Sequence, residues 1–319
     1  MKIKSVGYMG IGAPNPKEWL EYAVDVIGMM PARAIPGQGW GVPQSGEARN
    51  DSGLAADGSA YLKMDDRQWR IAVHPSNSSN GLLYLGLEVE DKLALEQAVA
   101  ELDRQNIDVR MGTETEACDR AVSGIAHFQD PAGNALELFY GPVKDYNFCS
   151  AHLGLEFVAG HLGLGHLNIF VEDLQTNYDF YTRTLGFKLT DYIRMGPDSA
   201  LKFLRCNERH HSVAIIGMGE INGLQHAMFE MKTIDDVGKT LDRAMAKGIK
   251  ITSSLGRHRN DGMLSFYMSS PFGFDVEIGC GCLLVDDNWT VNEFCEGDVW
   301  GHHGLVEAVM ASSKALSRQ

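Results

Sequence analysis

Apolar residues along this chain fall into two periodic patterns: short strand-like runs, and longer runs that repeat about every 3.6 residues, as amphipathic helices do. Near the start, an apolar run at 6–12 is followed by a polar turn and a helix-like run at 19–29. The same order recurs at 164–170 and 178–187, and in both places a glycine ends the helical pattern. This recurrence predicts a strand and a helix that are used at least twice in the fold.

A second pair of similar segments follows within each half of the chain. The strand-like segment 85–89 precedes a helical run at 93–105, and segment 227–231 precedes a helical run at 234–247. Self-similar segments are the signature of repeated structural units. We therefore predict that the strand–helix unit occurs four times.

A third similarity places one glutamate at the same position of both halves. Segment 130–141 resembles segment 270–281, and Glu137 and Glu277 each lie six residues after a proline. Each half then has the order strand, helix, strands, repeated once. This order predicts an α+β fold of four βαβββ modules, paired into two open-barrel domains.

Three stretches without clear periodicity divide the chain. Residues 36–58 are rich in Gly, Ser, Pro and Asn, which predicts a long irregular loop in the first half. Residues 142–163 show neither helical nor strand periodicity and are the natural connector. We therefore predict domains at 1–145 and 146–305, followed by a tail at 306–319 that forms a short helix with a polar end.

The overall charge narrows the classes of function. The 319 residues include 28 Lys and Arg against 42 Asp and Glu, a formal net charge of −14. This balance disfavours binding to nucleic acid or to anionic membranes, which depends on Lys- and Arg-rich faces. Neither a signal-peptide core nor an 18-residue apolar stretch occurs, so we predict a soluble, cytoplasmic protein. The six cysteines are spread over a chain too large to need disulfides and form no pair of Cys-x-x-Cys motifs, so we predict reduced thiols. Cys280 and Cys282 could form a soft-metal clip, but two small residues ending a strand are the favoured interpretation.

Three residues in strand-like segments form a candidate metal site: His166, His226 and Glu277. Two histidines and one carboxylate are the ligand set of a non-haem iron(II) site with positions open for substrate and dioxygen. A single histidine in a strand is more often a hydrogen-bonded core or surface residue, so the prediction depends on all three together. They occupy first-strand and last-strand positions of the third and fourth modules, which are predicted to share one sheet.

The first half provides an internal comparison for this site. At the positions equivalent to the three candidate ligands it carries Tyr8, Tyr84 and Glu137. It thus keeps the carboxylate and lacks both histidines. We therefore predict one metal site, in the second half, as duplication followed by loss of one site would leave.

Other polar side chains cluster near the candidate ligands. Segment 255–277 carries four of them upstream of the glutamate: His258, Asn260, Asp261 and Tyr267. Segment 203–215 carries the pair His210–His211 directly before a strand-like run. The pair could lie at a polar hairpin edge, but the following strand predicts that one ring points inward. Histidine exchanges protons near neutral pH, as oxygen chemistry on a phenol requires.

At these residues the sequence resembles the type I extradiol ring-cleaving catechol dioxygenases of the vicinal-oxygen-chelate superfamily. The similarity is greatest to two-domain members that act on bicyclic catechols such as dihydroxybiphenyl and dihydroxynaphthalene. It extends from about residue 5 to about residue 303 and is densest at 163–166, 207–211 and 255–277. These motifs are typical of the family rather than of the fold in general.

The resemblance implies a role for each candidate residue. His166, His226 and Glu277 match the ligands of iron(II), or of manganese(II) in some relatives. His211 matches the family's acid–base histidine, and His258 matches a second pocket histidine, with Asn260 and Asp261 in its loop. Tyr267 matches a tyrosine that contacts the catecholate oxygen. Phe203 matches an aromatic pocket wall. The resemblance also implies dioxygen as co-substrate and a homo-oligomer, often an octamer. We also expect Phe203 and Phe266 to form part of an apolar wall around the site.

The chain departs from this family at three places. The loop at 36–58 is longer than expected, and it lies in the half predicted to be non-catalytic. Asn168 stands at a substrate- and oxygen-pocket position where a small apolar residue is usual. Gly262 follows Asp261 where a larger side chain is common.

Two other classes of function are compatible with βαβββ modules. A glyoxalase-type isomerase or a thiol transferase uses the same modules, usually in single-domain chains without the residues His211, His258 and Tyr267. A metal-free binding protein of this fold has no use for two histidines and a glutamate at equivalent strand positions. The pattern therefore favours the dioxygenase.

Overall fold

The computed structural model describes residues 1–33, 51–77, 81–145, 147–196 and 199–317. The first fifteen residues of the predicted loop at 36–58 lie outside this range. Positions 51–58 form turns, with a bridge between Leu54 and Ala60. No helix among the described residues is long and apolar enough to span a membrane.

The first half forms an eight-stranded sheet with three helices on it. Its strand order is β2-β3-β4-β1-β5-β8-β7-β6, so the first strands of the two modules, β1 and β5, are antiparallel neighbours at the centre. A π-helical turn, Ala23–Ile27, continues the first helix. The elements are β1 Ser5–Ala13, α1 Pro16–Tyr22, β2 Met30–Pro31, β3 Ala60–Lys63, β4 Ile71–Pro75, β5 Leu82–Glu88, α2 Lys92–Arg104, β6 Arg110–Met111, α3 Glu114–Arg120, β7 Gly124–Gln129 and β8 Ala135–Tyr140.

The second half repeats the plan in a ten-stranded sheet. Its order is β17-β10-β11-β12-β9-β13-β16-β15-β14-β18, again with two first strands, β9 and β13, paired antiparallel at the centre. A π-helical turn, Phe180–Thr184, continues its first helix. The elements are β9 His166–Phe170, α4 Leu174–Asp179, β10 Lys188–Arg194, β11 Ala200–Arg205, β12 Val213–Ile216, β13 Gly223–Glu230, α5 Ile234–Ala246, β14 Ile251–His258, β15 Leu264–Ser269, β16 Asp275–Cys280, β17 Asn292–Phe294, β18 Asp298–Trp300 and α6 Leu305–Leu316.

These elements confirm the four predicted βαβββ modules and the α+β class. Helices α2 and α5 begin and end within one residue of the predicted runs at 93–105 and 234–247. Both begin at a side-chain cap, because Asp91 accepts from the N–H of Ala94 and Thr233 accepts from the N–H of Asp236. Local sequence thus sets the bounds of these two helices.

One helix adds to the predicted pattern, and another lies where a helix was expected. Helix α3 lies inside the second module, and the pair Thr113 and Glu116 forms a capping box at its start. Helix α6 falls where the tail was expected to be a short helix. None of its residues is fully buried, yet it packs on β13 and β14 beside the central pocket.

A hydrophobic core joins the two halves. It contains buried residues from β1 and β5 as well as from β9, β13 and β16. The rings of Trp19 and Phe274 lie 5.5 Å apart across the junction, and the Tyr181 hydroxyl donates to the buried Asp130 carboxylate at 3.0 Å. The described residues between 141 and 165 are almost free of regular structure, as the predicted connector requires, and the domain boundary near 145 stays a prediction.

Candidate metal centre

The three candidate ligands lie on adjacent strands at the centre of the second sheet. Met228 on β13 pairs with His166 on β9 and with Glu277 on β16, so these three side chains share one face. His226 lies two residues before Met228 on the same strand and therefore points to that face as well. Gly165 adopts φ +140°, and a Cβ there would overlap the carbonyl oxygen of Met228. Only glycine lets β9 begin this close to β13.

The ligand atoms converge on one point. Nε2 of His166 lies 3.1 Å from Nε2 of His226, and Oε2 of Glu277 lies 3.2 and 3.3 Å from these two nitrogens. Bonds of about 2.0–2.2 Å to a divalent metal place neighbouring ligands of an octahedral site about 3 Å apart. The observed triangle matches one face of such a site.

The burial of these groups also fits a metal. Both oxygens of Glu277 are buried and make no conventional hydrogen bond, and nitrogens of three histidines lie within 3.4 Å of them. Burial raises the pKa of Glu277, but contacts with His166, His226 and His258 outweigh it and hold the pKa well below its usual value. Burial lowers the pKa of His166, which favours the neutral imidazole that binds metals. An anionic carboxylate with two neutral imidazoles is a donor set for iron(II).

An amide that the sequence did not single out holds the second ligand. Gln225 lies at a β-bulge of β13, so its side chain reaches the same side as that of its neighbour His226. Its Oε1 accepts from Nδ1 of His226 and also from Nδ2 of Asn168, at 3.3 Å for the latter. Because the Gln225 oxygen accepts a hydrogen bond from Nδ1 of His226, the hydrogen is on Nδ1 and Nε2 is free to bind the metal. Asn168 lines the cavity beside this amide.

A cavity of about 490 Å³ opens from the candidate ligands towards the surface. Polar groups line its inner end, and its outer part is mainly apolar. Helix α6 supplies part of the outer wall through Leu305, Val306, Val309 and Met310. The volume lies within the range of about 300–1,000 Å³ that is common for small-molecule sites. The tail of the chain is therefore part of the pocket, which its sequence pattern did not indicate.

A hydrogen-bonded chain runs from the ligands to the start of this helix. Nε2 of His258 lies 2.8 Å from the Tyr267 hydroxyl and 3.4 Å from Oε1 of Glu277. Asp298 accepts from Nδ1 of His258 at 2.8 Å and from Nδ1 of His302 at 2.6 Å. Burial lowers the pKa of His258, but its bonds to Asp298 and Glu277 prevail and raise the pKa to about 10. The sequence did not identify Asp298 or His302, although their i, i+4 spacing lies within the region of family resemblance.

A second buried chain lies behind His211. Its ring stacks on His166 with centroids 3.9 Å apart, and its Nδ1 lies 3.1 Å from Nδ1 of His210. Nε2 of His210 lies 2.8 Å from Oδ2 of Asp191, whose side chain is fully buried. Burial, followed by the neighbouring His166 and His210, lowers the pKa of His211 well below its usual value. Of the two histidines, His211 lines the cavity and His210 does not.

The remaining predicted site residues lie around these chains. Phe203 packs against His211 with ring centroids 4.9 Å apart and lines the cavity, as do Asn260 and Asp261. Oδ1 of Asp261 accepts from the N–H of Met263, which fixes the loop after β14. Phe266 was also expected in the wall, and this was wrong. It is fully buried in the core, because it neighbours the inward-facing Tyr267 on a strand and so points to the opposite face.

The first half keeps the same frame but has no histidine at the positions equivalent to His166 and His226. Tyr8 on β1, Gly86 on β5 and Glu137 on β8 pair in the same register as His166, Met228 and Glu277 do. The Tyr8 hydroxyl donates to Glu137 at 2.7 Å. Arg120 donates to both oxygens of this carboxylate, at 2.9–3.1 Å, and its guanidinium lies 3.9 Å from the ring centre of Tyr84. An arginine thus supplies the positive charge beside the conserved carboxylate position.

Comparison with known proteins identifies the relatives of this chain. Residues 163–278 match the model of the Glyoxalase/Bleomycin resistance protein/Dioxygenase superfamily. An "Iron-dependent extradiol dioxygenase" of Rhodococcus jostii is 35% identical, over 95% of this chain and 97% of the relative. A "Biphenyl-2,3-diol 1,2-dioxygenase" of Paraburkholderia xenovorans is 36% identical, over 99% of this chain and 100% of the relative.

A solved structure agrees with these relatives. The crystal structure of BphC, described as a halotolerant catechol dioxygenase, superposes with a TM-score of 0.84 at 32% identity and covers 94% of each chain. Because the identity exceeds 30% over nearly the full length, relatedness extends to both halves and not only to the fold of one module.

Proposed function

We propose that this chain, which belongs to the extradiol dioxygenases of the Glyoxalase/Bleomycin resistance protein/Dioxygenase superfamily, binds iron(II) at His166, His226 and Glu277 and cleaves a bicyclic catechol beside its hydroxyl groups. Both atoms of dioxygen would enter the product. The observation that carries the proposal is the convergence of the three ligand atoms within 3.3 Å at the inner end of a largely apolar cavity. The relatives named above act on biphenyl-diols or are iron-dependent extradiol dioxygenases, which supports the same chemistry here.

Iron(II), when bound, acidifies the catechol hydroxyls and provides the path for electrons between catecholate and dioxygen. The chain's own residues handle the protons. His211 stacks against His166 at the cavity wall, where its Nε2 can take the proton of a catechol hydroxyl. Burial disfavours the charged form of His211, so the proton is readily returned when the ring opens.

His258 and Tyr267 would stabilise the oxygen that has lost its proton. A protonated His258 donates from one nitrogen to Asp298 and from the other to the Tyr267 oxygen. The Tyr267 O–H is then free to donate into the cavity. Burial, together with the Glu277 and Asp261 carboxylates, raises the pKa of Tyr267 well above its usual value, so this residue remains a donor.

The outer wall supports a substrate with a second ring. Apolar side chains of α6 and of β10 and β11 line it, among them Ile193, Leu201 and Val309. A monocyclic catechol would leave this wall in contact with water, whereas a biphenyl- or naphthalene-type diol would cover it. Phe203 stands near the inner end, where it can pack against the reacting ring.

Anaerobically purified protein loaded with iron(II) and ascorbate, then mixed with 2,3-dihydroxybiphenyl in air, tests the proposal. We expect a yellow ring-opened product with one dioxygen consumed per substrate. A glyoxalase-type isomerase or a metal-free binding protein consumes no dioxygen under these conditions. Absence of oxygen uptake with a panel of mono- and bicyclic catechols, at full iron content, would refute the assignment.

A further inference from the structure

His210 and Asp191 form a buried pair behind the cavity that the proposed reaction does not itself use. Neither side chain is exposed to solvent. Asp191 lies on β10, and its Oδ1 accepts from the backbone N–H of Asn292 at 2.7 Å while Oδ2 faces Nε2 of His210 at 2.8 Å. Both oxygens of the carboxylate thus have a partner.

The His210 ring is held on every side. Its backbone N–H donates to the carbonyl of Leu283, and the rings of Phe203 and Trp289 pack edge-on against it at centroid distances of 6.0 and 5.8 Å. Its second nitrogen, Nδ1, lies 3.1 Å from Nδ1 of His211, and the two ring planes are nearly perpendicular. The order Asp191, His210, His211 is therefore fixed by packing as well as by hydrogen bonds.

The direction of each hydrogen bond in this chain follows from the carboxylate. An ionised Asp191 only accepts, so Nε2 of His210 must carry a hydrogen. In a neutral His210, Nδ1 is then an acceptor, and His211 donates to it from its own Nδ1. The Asp261 carboxylate lies 4.0 Å from the same nitrogen of His211 and also favours hydrogen there. The remaining nitrogen of His211, Nε2, carries a lone pair and has no hydrogen-bond partner among the described residues.

We propose that Asp191 and His210 are positioning residues that fix His211 in the tautomer with hydrogen on Nδ1, so that Nε2 faces the substrate as a proton acceptor. The inference rests on the proposed function, in which a catechol O–H bond breaks and its proton passes to Nε2 of His211. The opposite tautomer would present an N–H to the catechol and could not accept this proton. A buried carboxylate that fixes the tautomer of a catalytic histidine through a hydrogen bond is the arrangement of serine-protease triads; here a second histidine lies between them.

Asp191→Asn is a sharp test because it can keep every hydrogen bond and reverse their direction. The amide oxygen remains the acceptor for the N–H of Asn292, which turns the NH₂ group towards Nε2 of His210. His210 then carries its hydrogen on Nδ1 and donates to His211, whose Nε2 becomes an N–H. A purely structural role predicts little change, since shape and packing are preserved.

The full-length iron-loaded variant is compared with wild type by kcat and KM for 2,3-dihydroxybiphenyl and by iron content. We expect kcat to fall about 10- to 100-fold, the usual effect of losing a partner that orients a functional histidine. KM and iron per chain should stay within twofold, because neither Asp191 nor His210 is a metal ligand or lines the cavity. The matched control is Glu208→Gln, which neutralises the carboxylate partner of an exposed histidine, His161, and should leave kcat unchanged.

A second measurement reports the tautomer without catalysis. Ring ¹⁵N spectra of the zinc(II)-loaded, diamagnetic protein, assigned with His211→Gln, should show hydrogen on Nδ1 of His211 in wild type and on Nε2 in Asp191→Asn. If Asp191→Asn fails to fold, His210→Phe takes its place. This variant removes the acceptor for Nδ1 of His211 and should lower kcat in the same range. Hydrogen on Nε2 of His211 in wild type, or wild-type kcat in both variants, would overturn the inference. Failure of wild type to cleave any catechol would instead reject the proposed function, and the tautomer spectra would still test the hydrogen-bond chain.

Discussion

Replacing Arg120 by methionine should destabilise the first half of the molecule. Methionine keeps most of the length of the side chain but removes the guanidinium, and with it three donor–acceptor contacts of 2.9–3.1 Å to Glu137. The Glu137 side chain is only 3% exposed, so its charge would remain buried without a cation. The perturbation therefore tests whether Arg120 neutralises Glu137 as the proposed metal would neutralise Glu277.

The structure sets the size of the effect. Removing one partner of a buried ion pair typically costs about 3–5 kcal/mol. The Arg120 side chain is itself 21% exposed, and the Tyr8 hydroxyl continues to donate to Glu137 at 2.7 Å. Both features favour the lower end, so we expect the free energy of unfolding to fall by about 3 kcal/mol.

Urea unfolding of metal-free protein measures this change without a contribution from metal binding. The double variant Arg120→Met/Glu137→Gln should recover most of the loss, because the buried charge is removed as well. Arg110→Met is the matched control: Arg110 makes the same two-pronged contact with Glu116, at 2.7 and 2.9 Å, but on the surface, where such pairs contribute little. If Arg120→Met shifts the midpoint no more than Arg110→Met does, the counter-ion role is refuted.

Three further predictions concern the second half. His226→Ala should abolish iron binding and ring cleavage together, measured as iron per chain and oxygen uptake; a variant with full iron and full activity would contradict the ligand assignment. In a chain that ends before Leu305, the ratio of KM for 2,3-dihydroxybiphenyl to KM for unsubstituted catechol should rise about tenfold. This rise corresponds to the loss of roughly 60 Å² of apolar contact at about 25 cal/mol per Å². An unchanged ratio would mean that α6 does not contact the second ring. Burial raises the pKa of Asp298, but His258 and His302 outweigh it and lower the pKa to about 2. A carboxyl group with a lowered pKa stabilises the fold above its unfolded pKa of about 3.9, and this stabilisation is lost as the pH falls towards 2. Asp298→Asn should therefore be less stable than wild type at pH 7, with a difference in urea midpoint that narrows below about pH 4; a difference independent of pH would contradict this.

Local sequence determined the elements and their repetition. Periodicity located α2 and α5 to within one residue, because helix bounds depend on nearby caps such as Asp91 and Thr233. The repeats also placed His166, His226 and Glu277 at equivalent strand positions before any contact was known. Strand pairing between repeated modules is itself repeated, so equivalent positions come together in both sheets.

Alternation within a strand was harder to use. Phe266 was expected in the apolar wall together with Phe203, yet neighbouring strand residues face opposite sides and Phe266 lies in the core, while Tyr267 faces the cavity. Gln225 shows the reverse case, since a β-bulge turns it to the same side as His226. Bulges depend on the partner strand and cannot be located from one strand's sequence.

The sequence by itself therefore determined the four modules, the three candidate ligands and the absence of their histidines from the first half. Only the tertiary structure revealed that Asp191 supports His211, that Asp298 joins His258 to His302 and that α6 forms part of the pocket wall. Asp191 lies 20 positions before His211, Asp298 lies 40 positions after His258, and α6 is a separate helix, so no local pattern encodes these contacts. Arg120 is the corresponding case in the first half, where the fold brings a positive charge from a short helix to Glu137.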